Sequence, residues 1–523
     1  MKFGAGVEDA INMLYTEKKI YKDYLPQDAI KAGNKLIEET KGLSDEALDE
    51  IINMVKDELP LEYPTVSVWW YSVLLGIKKS SVFLLEFIRY VYANRESFSL
   101  NTRFYIYCQF HDIVFNYPNL QCISIFREMS IFYQGLVEEF AKSVNAPLYP
   151  IKSEERNKQL VLIITEQFIN IQHGPTKTAL DRCKTLMTKC GKNVLLLNTA
   201  ELSSQVGYIP FYGARGASYD SQKMNEEIQH WKGVDIPYVQ CEQNMPDLDT
   251  LEYLLNFIKE MAPEIVILIG ETSILGNLVN KMIPVLTVGT VPSRLTCNTT
   301  KYQTLSRNLN SSDLELLKIF GHTEQNVIKG VFTSSLKPQT EFLTRDDIGI
   351  NEDKFLLAVV GARLDTEVTD EFLNILDEIF KPDMSLIFIG RFDKYETLIK
   401  KYRNLSMQSV YIGFCDDILS RLELCDLYVN PLRAGGGTSC VEAMYKGVPV
   451  VTVNYGDVAV NSGDDFCVSD YREMQEKILK YHDDLEYYDK MSQKAKKRAE
   501  LLLDTEGEFA RILEEVRKRE YGQ

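Results

Sequence analysis

Nine short, almost purely apolar runs constrain this chain more than any other feature of its sequence. They read "LVLIITEQF" from Leu160, "NVLLLNTAE" from Asn193, "EIVILIGE" from Glu264 and "IPVLTVGT" from Ile283. The series resumes with "FLLAVVG" from Phe355, "SLIFIG" from Ser385, "SVYIGF" from Ser409, "LCDLYVNP" from Leu424 and "VPVVTVN" from Val448. Each ends in a polar loop, and most lead into a helical pattern such as "TALDRCKTLMTKCG" or "DTLEYLLNFIKEMA". A strand with no polar face must be covered on both sides, and helices returning between such strands make them parallel. The pattern predicts α/β architecture, with two doubly wound domains joined at "SSLKPQTEFLTRDDIGINED".

What precedes the first run is different. Stretches such as "QDAIKAGNKLIEETKGL" and "SDEALDEIINMVKDEL", where Ser44 or Asp45 serves as a start cap, repeat apolar residues at helical spacing. The expected organisation is an all-α domain over 1–150, a Rossmann-like domain over 157–335, a second over 340–505, and a closing helix over 506–523. A length of 523 residues fits several cores better than one.

Composition narrows the function. A formal charge of −17 excludes a general nucleic-acid or anionic-membrane binder. "VSVWWYSVLLGI" is too short to span a bilayer, and the N-terminus lacks a signal-peptide core, so no transmembrane segment and a cytoplasmic location are expected. Ten cysteines occur singly, without metal spacing, and five histidines form no ligand pair. No metal and no cofactor are implied. "DLD" at Asp247–Asp249 opens a helix, so Asp247 is read as a cap.

The chemistry concentrates in "NPLRAGGGTSCVEAMYKGVPVVT", from Asn430 to Thr452. Three consecutive glycines are costly to order, so something there needs bare backbone. They lie between a strand and a helix, where unpaired amides and the positive end of the helix dipole make an anion site. Glu442, one turn in, would be repelled by a diphosphate and suits a neutral diol such as ribose. The loop reads as a nucleotide-diphosphate cradle, with a mere packing turn as the alternative.

A glycine-rich loop, then Glu442, then "GVPVV", in the second of two α/β domains, resembles the nucleotide-sugar site of GT-B-fold glycosyltransferases. The resemblance implies two facing Rossmann-like domains, with the donor on the C-terminal one and the acceptor entering from the other. Gly435, Gly436, Gly437, Thr438 and Ser439 match the diphosphate loop, and Glu442 the ribose-binding glutamate. Arg363 follows the first strand of the C-terminal domain, where the family often places a phosphate-binding arginine; a salt bridge with Asp365 or Glu367 is the competing role. Phe414 and Cys415 match the loop that reads the base. Retaining members carry a glutamate eight residues before the ribose one, and here that position is Ala434. Asp457 and Asn461 are spaced like the sugar-contacting segment of several inverting members, which favours inversion. His173, in a strand-end loop of the N-terminal domain, is the candidate base, and Arg294 and Lys301 are candidates for donor phosphate or acceptor.

The implied function is transfer of a sugar from a nucleotide donor, a UDP-sugar first among them, to an acceptor. An all-helical leader before a GT-B pair is similar to bacterial cytoplasmic protein glycosyltransferases, which points to a polypeptide acceptor. A glycan acceptor in surface-polysaccharide synthesis, a non-catalytic GT-B partner of another glycosyltransferase, and a sugar-nucleotide epimerase are the alternatives. Assembly into an oligomer stays open.

Overall fold

The computed structural model describes residues 27–57, 63–171, 173–201, 226–242, 245–296 and 298–522; the first 26 residues of the expected helical domain lie outside these. Six helices come first: α1 Gln27–Glu39, α2 Asp45–Asp57, α3 Pro64–Ile77, α4 Ser81–Ala93, α5 Leu100–Asn116 and α6 Ile123–Ser143. Ser44 does cap α2, its Oγ accepting from the Ala47 amide at 3.4 Å. The aromatic load of these helices becomes their core. Phe87, Phe104, Phe110, Phe132 and Tyr133 are buried together, and the cluster runs on into Leu162, Ile164, Val266 and Leu268 of the first sheet. The helical domain therefore covers one face of that sheet and shares its core.

The first sheet comprises β1 Asn157–Thr165, β2 Asn193–Asn198, β3 Ile228–Trp231, β4 Val234–Gln240, β5 Pro263–Ile269, β6 Val285–Val288, β7 Tyr302–Leu305 and β8 Val327–Lys329. Helices α7 Gly174–Thr188, α8 Leu248–Met261, α9 Ile274–Val279 and α10 Ser311–Ile319 are interleaved. The order is β3-β4-β2-β1-β5-β6-β7-β8, parallel except for the β3–β4 hairpin. Because side chains alternate along a strand, Leu162 and Ile164 face the helical domain while Val161 and Ile163 face α7.

The second sheet comprises β9 Phe355–Gly361, β10 Met384–Gly390, β11 Ser409–Gly413, β12 Leu427–Asn430, β13 Val450–Val453 and β14 Cys467–Val468. Between and after them run α11 Leu364–Glu367, α12 Asp370–Ile379, α13 Tyr395–Leu398, α14 Arg403–Gln408, α15 Ile418–Leu422, α16 Gly437–Tyr445, α17 Gly456–Ser462, α18 Tyr471–Asp483, α19 Leu485–Leu503 and α20 Thr505–Tyr521. Its order, β11-β10-β9-β12-β13-β14, is all parallel and doubly wound. The last helix, α20, leaves this domain and returns to the first sheet, where Phe509, Ile512, Leu513 and Val516 are buried against Val161 and Ile163.

In open α/β sheets, ligands bind beyond the carboxyl ends of the strands where the strand order reverses. Here the reversals lie between β1 and β5, and between β9 and β12. The loops they offer are 166–173 and 270–273 on one side, and 362–363 and 431–436 on the other.

Candidate functional site

The three glycines make sense once Arg433 is placed. This residue, 4% exposed, lies under the loop. Its Nε donates to Asn430 Oδ1 at 2.8 Å, Nη1 to Glu367 Oε2 at 2.7 Å, and Nη2 to Val360 O at 2.7 Å and Tyr428 Oη at 2.8 Å. Gly436 lies directly over the guanidinium with φ +96°, and a Cβ there would stand 2.6 Å from Arg433 Nη2. A Cβ on Gly437 would stand 2.7 Å from Asn461 Nδ2, and one on Gly435 3.2 Å from Arg363 Nη2. The loop is pressed between a buried arginine, the α17 helix and Arg363, and side chains would break that contact.

Helix α16 then starts at Gly437 with no side chain capping its amides. Such a terminus favours an anion. Thr438 lines a small cavity that also receives Gly174 and Lys177 of the facing domain. Ser439 is turned inward instead of adding a donor to the cradle: its hydroxyl donates to Gly436 O at 3.0 Å and lies 2.9 Å from Tyr428 Oη. Glu442 is pushed up to about 7 by burial, against the opposing charges of Lys177 and Lys337.

Arg363 forms the Glu367 salt bridge that was its competing role, yet stays partly exposed. Its Nη2 donates to Glu367 Oε1 at 2.9 Å, and its side chain remains 44% exposed, leaving guanidinium donors for a ligand. The group lies 5.1 Å from the Phe115 ring centroid, a contact from the helical domain. Phe414 is exposed, and burial pushes the half-buried Cys415 thiol up.

Asp457 is not open to a ligand. Its Oδ1 accepts from the Ser293 amide at 3.2 Å and from the Ser293 hydroxyl at 2.8 Å, so it ties the C-terminal domain to the facing one. Its own amide donates to Ala434 O at 2.7 Å. Burial pushes the carboxyl up to about 7, although the Ser293 bonds and the Arg294 charge pull the other way. Asn461 Nδ2 donates to Gly437 O at 3.2 Å, while its buried Oδ1 has no partner among the described residues.

On the N-terminal side, His173 precedes α7. Its Nδ1 lies 3.1 Å from Thr176 Oγ1. Burial, then the nearby Lys177 charge, push it down to about 4, so the ring is neutral at pH 7. Arg294 and Lys301 both have protein partners. The Arg294 side chain is 12% exposed, and a largely buried guanidinium needs a carboxylate: its Nη2 donates to Glu271 at 3.1 Å and to His111 Nε2 at 2.9 Å. Burial raises the Glu271 carboxyl, yet Arg294 and His111 outweigh it and hold the group at about 2. Lys301 sits at the amino end of β7, away from the cleft, and pairs with Glu520 of α20. Asp247 caps α8, accepting from the Thr250 amide at 2.9 Å.

Sequence reasoning missed Arg433, His111, Lys177 and Glu271. Glu271, like the buried Glu166, stands just past the end of a central strand, and that shared position was the one available signal. Among the described residues, no three His, Cys, Asp or Glu side chains are grouped to hold a metal ion, and no helix is long and apolar enough to cross a membrane.

Two doubly wound domains facing across such a cleft, with a helix start exposed at one switch point, constitute a GT-B fold. Residues 341–498, which span most of the C-terminal domain, match the model of the glycosyl transferases group 1 family. Over 153 residues the chain is 27% identical to the UDP-N-acetylglucosamine--N-acetylmuramyl-(pentapeptide) pyrophosphoryl-undecaprenol N-acetylglucosamine transferase of Carboxydothermus hydrogenoformans. That match takes in 27% of this chain and only 40% of the relative. A solved structure of a Thermobaculum terrenum O-GlcNAc transferase variant superposes with a TM-score of 0.56 at 11% identity, covering 99% of this chain and 98% of that one. A glycosyltransferase from Rickettsia africae gives 0.51 at 11% identity, over 70% of this chain and 100% of its own.

Proposed function

We propose that the chain transfers a sugar from a nucleotide sugar to an acceptor hydroxyl with inversion at the anomeric carbon. The observation that carries this is the uncapped start of α16, held open by glycines beside Arg363 and within a turn of Glu442. The diphosphate would rest on the α16 amides and Arg363, and Glu442 would accept from ribose hydroxyls. UDP-N-acetylglucosamine is the first donor to test, because the Carboxydothermus relative is named for it and the Thermobaculum protein is named an O-GlcNAc transferase. The helical domain built onto the catalytic sheet supports a polypeptide acceptor within the cytoplasm, with a glycan acceptor as the rival.

In this reading the acceptor oxygen forms a bond to the anomeric carbon from the face opposite the diphosphate. The bond between that carbon and the diphosphate oxygen breaks, and the leaving group's charge meets the helix amides and Arg363. The acceptor proton passes to His173 Nε2, with the Nδ1–H donated to Thr176 Oγ1. Ala434 supports inversion, since it leaves no carboxylate where a retaining member carries its second glutamate.

The test is nucleotide release from UDP-, GDP- and ADP-sugars by the wild type, Glu442→Ala and Gly436→Val, with the product anomer read by NMR. Hydrolysis of one donor, lost in both variants, supports the reading. Saturable binding without turnover favours the non-catalytic alternative, and no binding by any nucleotide refutes the site.

A further inference from the structure

The N-terminal domain contributes its own cation to the cleft. The small cavity of about 80 Å³ between the domains is lined by the start of α7 (Gly174, Pro175), by Lys177, and across from them by Thr438 at the start of α16. It has room for about two to three water-sized groups, the scale of one phosphoryl group. Helix α7, like α16, begins with no side chain capping its amides, so two helix starts converge on one space.

Of the other charged residues lining this cavity, Asp181 is fully engaged, while Arg182 is bonded only through Nη2, its buried Nε and Nη1 having no partner among the described residues. Asp181, one turn along α7 from Lys177, accepts from Trp231 Nε1 at 2.8 Å, Lys232 Nζ at 3.0 Å and the Ser335 hydroxyl at 2.6 Å. Arg182 donates to Thr333 O at 3.2 Å and is flanked by the Phe332 and Phe509 rings. Lys177 is different. Among the described residues its ammonium forms no hydrogen bond and no ion pair within 4 Å, and Glu442, the acid whose charge it feels most, is equally without one. Burial pushes the lysine down and the glutamate up. Lys177 lines the cavity opposite Thr438, and Glu442 lies one turn further along the helix that Thr438 opens, near enough for each charge to act on the other; a nucleoside diphosphate would satisfy both. Its phosphate would accept from the lysine and its ribose hydroxyls would donate to the glutamate.

We propose that Lys177 is a donor-binding residue supplied by the N-terminal domain, meeting the diphosphate from the side opposite the α16 amides. This rests on the reading of the cleft as a nucleotide-sugar site. The donor's charge is then held from both domains, so donor binding itself draws the two sheets together.

The test is calorimetric titration of the full chain with UDP, GDP and ADP, taking the tightest of the three as probe. Wild type, Lys177→Met, Lys177→Arg and Gly436→Val are compared. Loss of one charge-assisted bond predicts that Lys177→Met weakens the diphosphate about 10- to 100-fold, with Lys177→Arg within a few-fold of wild type. A Lys177→Met protein that binds as wild type does, while Gly436→Val does not, overturns the inference and leaves the glycine-loop site standing. Equal weakening in Lys177→Met and Lys177→Arg would also overturn it, because packing and not charge would then be at stake. If the wild type binds none of the three, the site reading fails and the inference with it.

Discussion

If Gly436 is a glycine because Arg433 lies beneath it, the two positions must be coupled energetically. Gly436→Ala places a side chain at φ +96° and a Cβ 2.6 Å from the guanidinium. The left-handed backbone costs about 1–2 kcal/mol, and displacing the arginine from one of its buried hydrogen bonds about 1–3 kcal/mol more. The sum is about 3 kcal/mol, or roughly 100-fold in local opening. With Arg433→Ala in place the clash has no partner, and Gly436→Ala should then cost only the backbone part. The cycle should therefore show a coupling of about 1–3 kcal/mol, the arginine part alone. Tryptophan fluorescence cannot report it, since Trp69, Trp70 and Trp231 all lie outside the C-terminal domain. Hydrogen exchange of the β9 and β12 amides can, because Arg433 bonds directly to Val360 O and Tyr428 on those strands. Costs that add to within about 0.5 kcal/mol would refute the explanation of the triple glycine.

His173→Ala should lower transfer by about 10²- to 10⁴-fold with donor KM unchanged, measured by steady-state kinetics; an unaffected rate removes it as the base. Arg294→Met should destabilise the chain by about 3–5 kcal/mol by stranding the buried Glu271 carboxylate, read from urea unfolding by tryptophan fluorescence with an unchanged m-value. Asp457 binds its proton more tightly when folded, at about 7 against 3.8 when exposed. Its contribution to stability is therefore full below pH 4 and lost as pH rises through about 7, on the order of 1–3 kcal/mol. Melting temperature should fall between about pH 4 and pH 7 in the wild type, as only the unfolded state ionises there, and flatten in Asp457→Asn, which keeps an oxygen for Ser293; parallel curves would exclude Asp457 as the titrating group.

The central strands were legible because a strand covered on both faces has no polar positions to obscure it. The β3–β4 hairpin was not: "IQHW" and "VDIPYVQ" lie at a sheet edge, mix polar and apolar residues, and include Pro237. The placement of the glycines at a strand end and of Glu442 in the following helix was legible because it is local to one loop and one helix turn. Arg433, two residues from Gly435, looked like part of a polar loop, since nothing in a single sequence tells a buried arginine from an exposed one. His111 was beyond reach for a different reason. It meets Arg294 only because the helical domain packs on the first sheet, a contact between residues 183 positions apart. The Glu271 and His111 partners of Arg294 were hidden for the same reason, and Lys301 was misplaced because its position at the amino end of β7 went unrecognised.

The return of α20 to the first sheet gives the molecule a discontinuous covalent plan. The N-terminal α/β domain is assembled from two separate stretches of chain, and the C-terminal domain is an insert fastened to it at both ends, near 335 and near 504. A domain on one tether can swing, twist and drift; one on two tethers keeps little beyond rotation about the line joining them. Two tethers therefore restrict how the donor-side and acceptor-side loops can be displaced from one another. Phe509, Ile512, Leu513 and Val516, each worth about 1.5–3 kcal/mol in burial, make the second tether a firm one, so mechanical registration of the two half-sites is set 40 or more residues away from either.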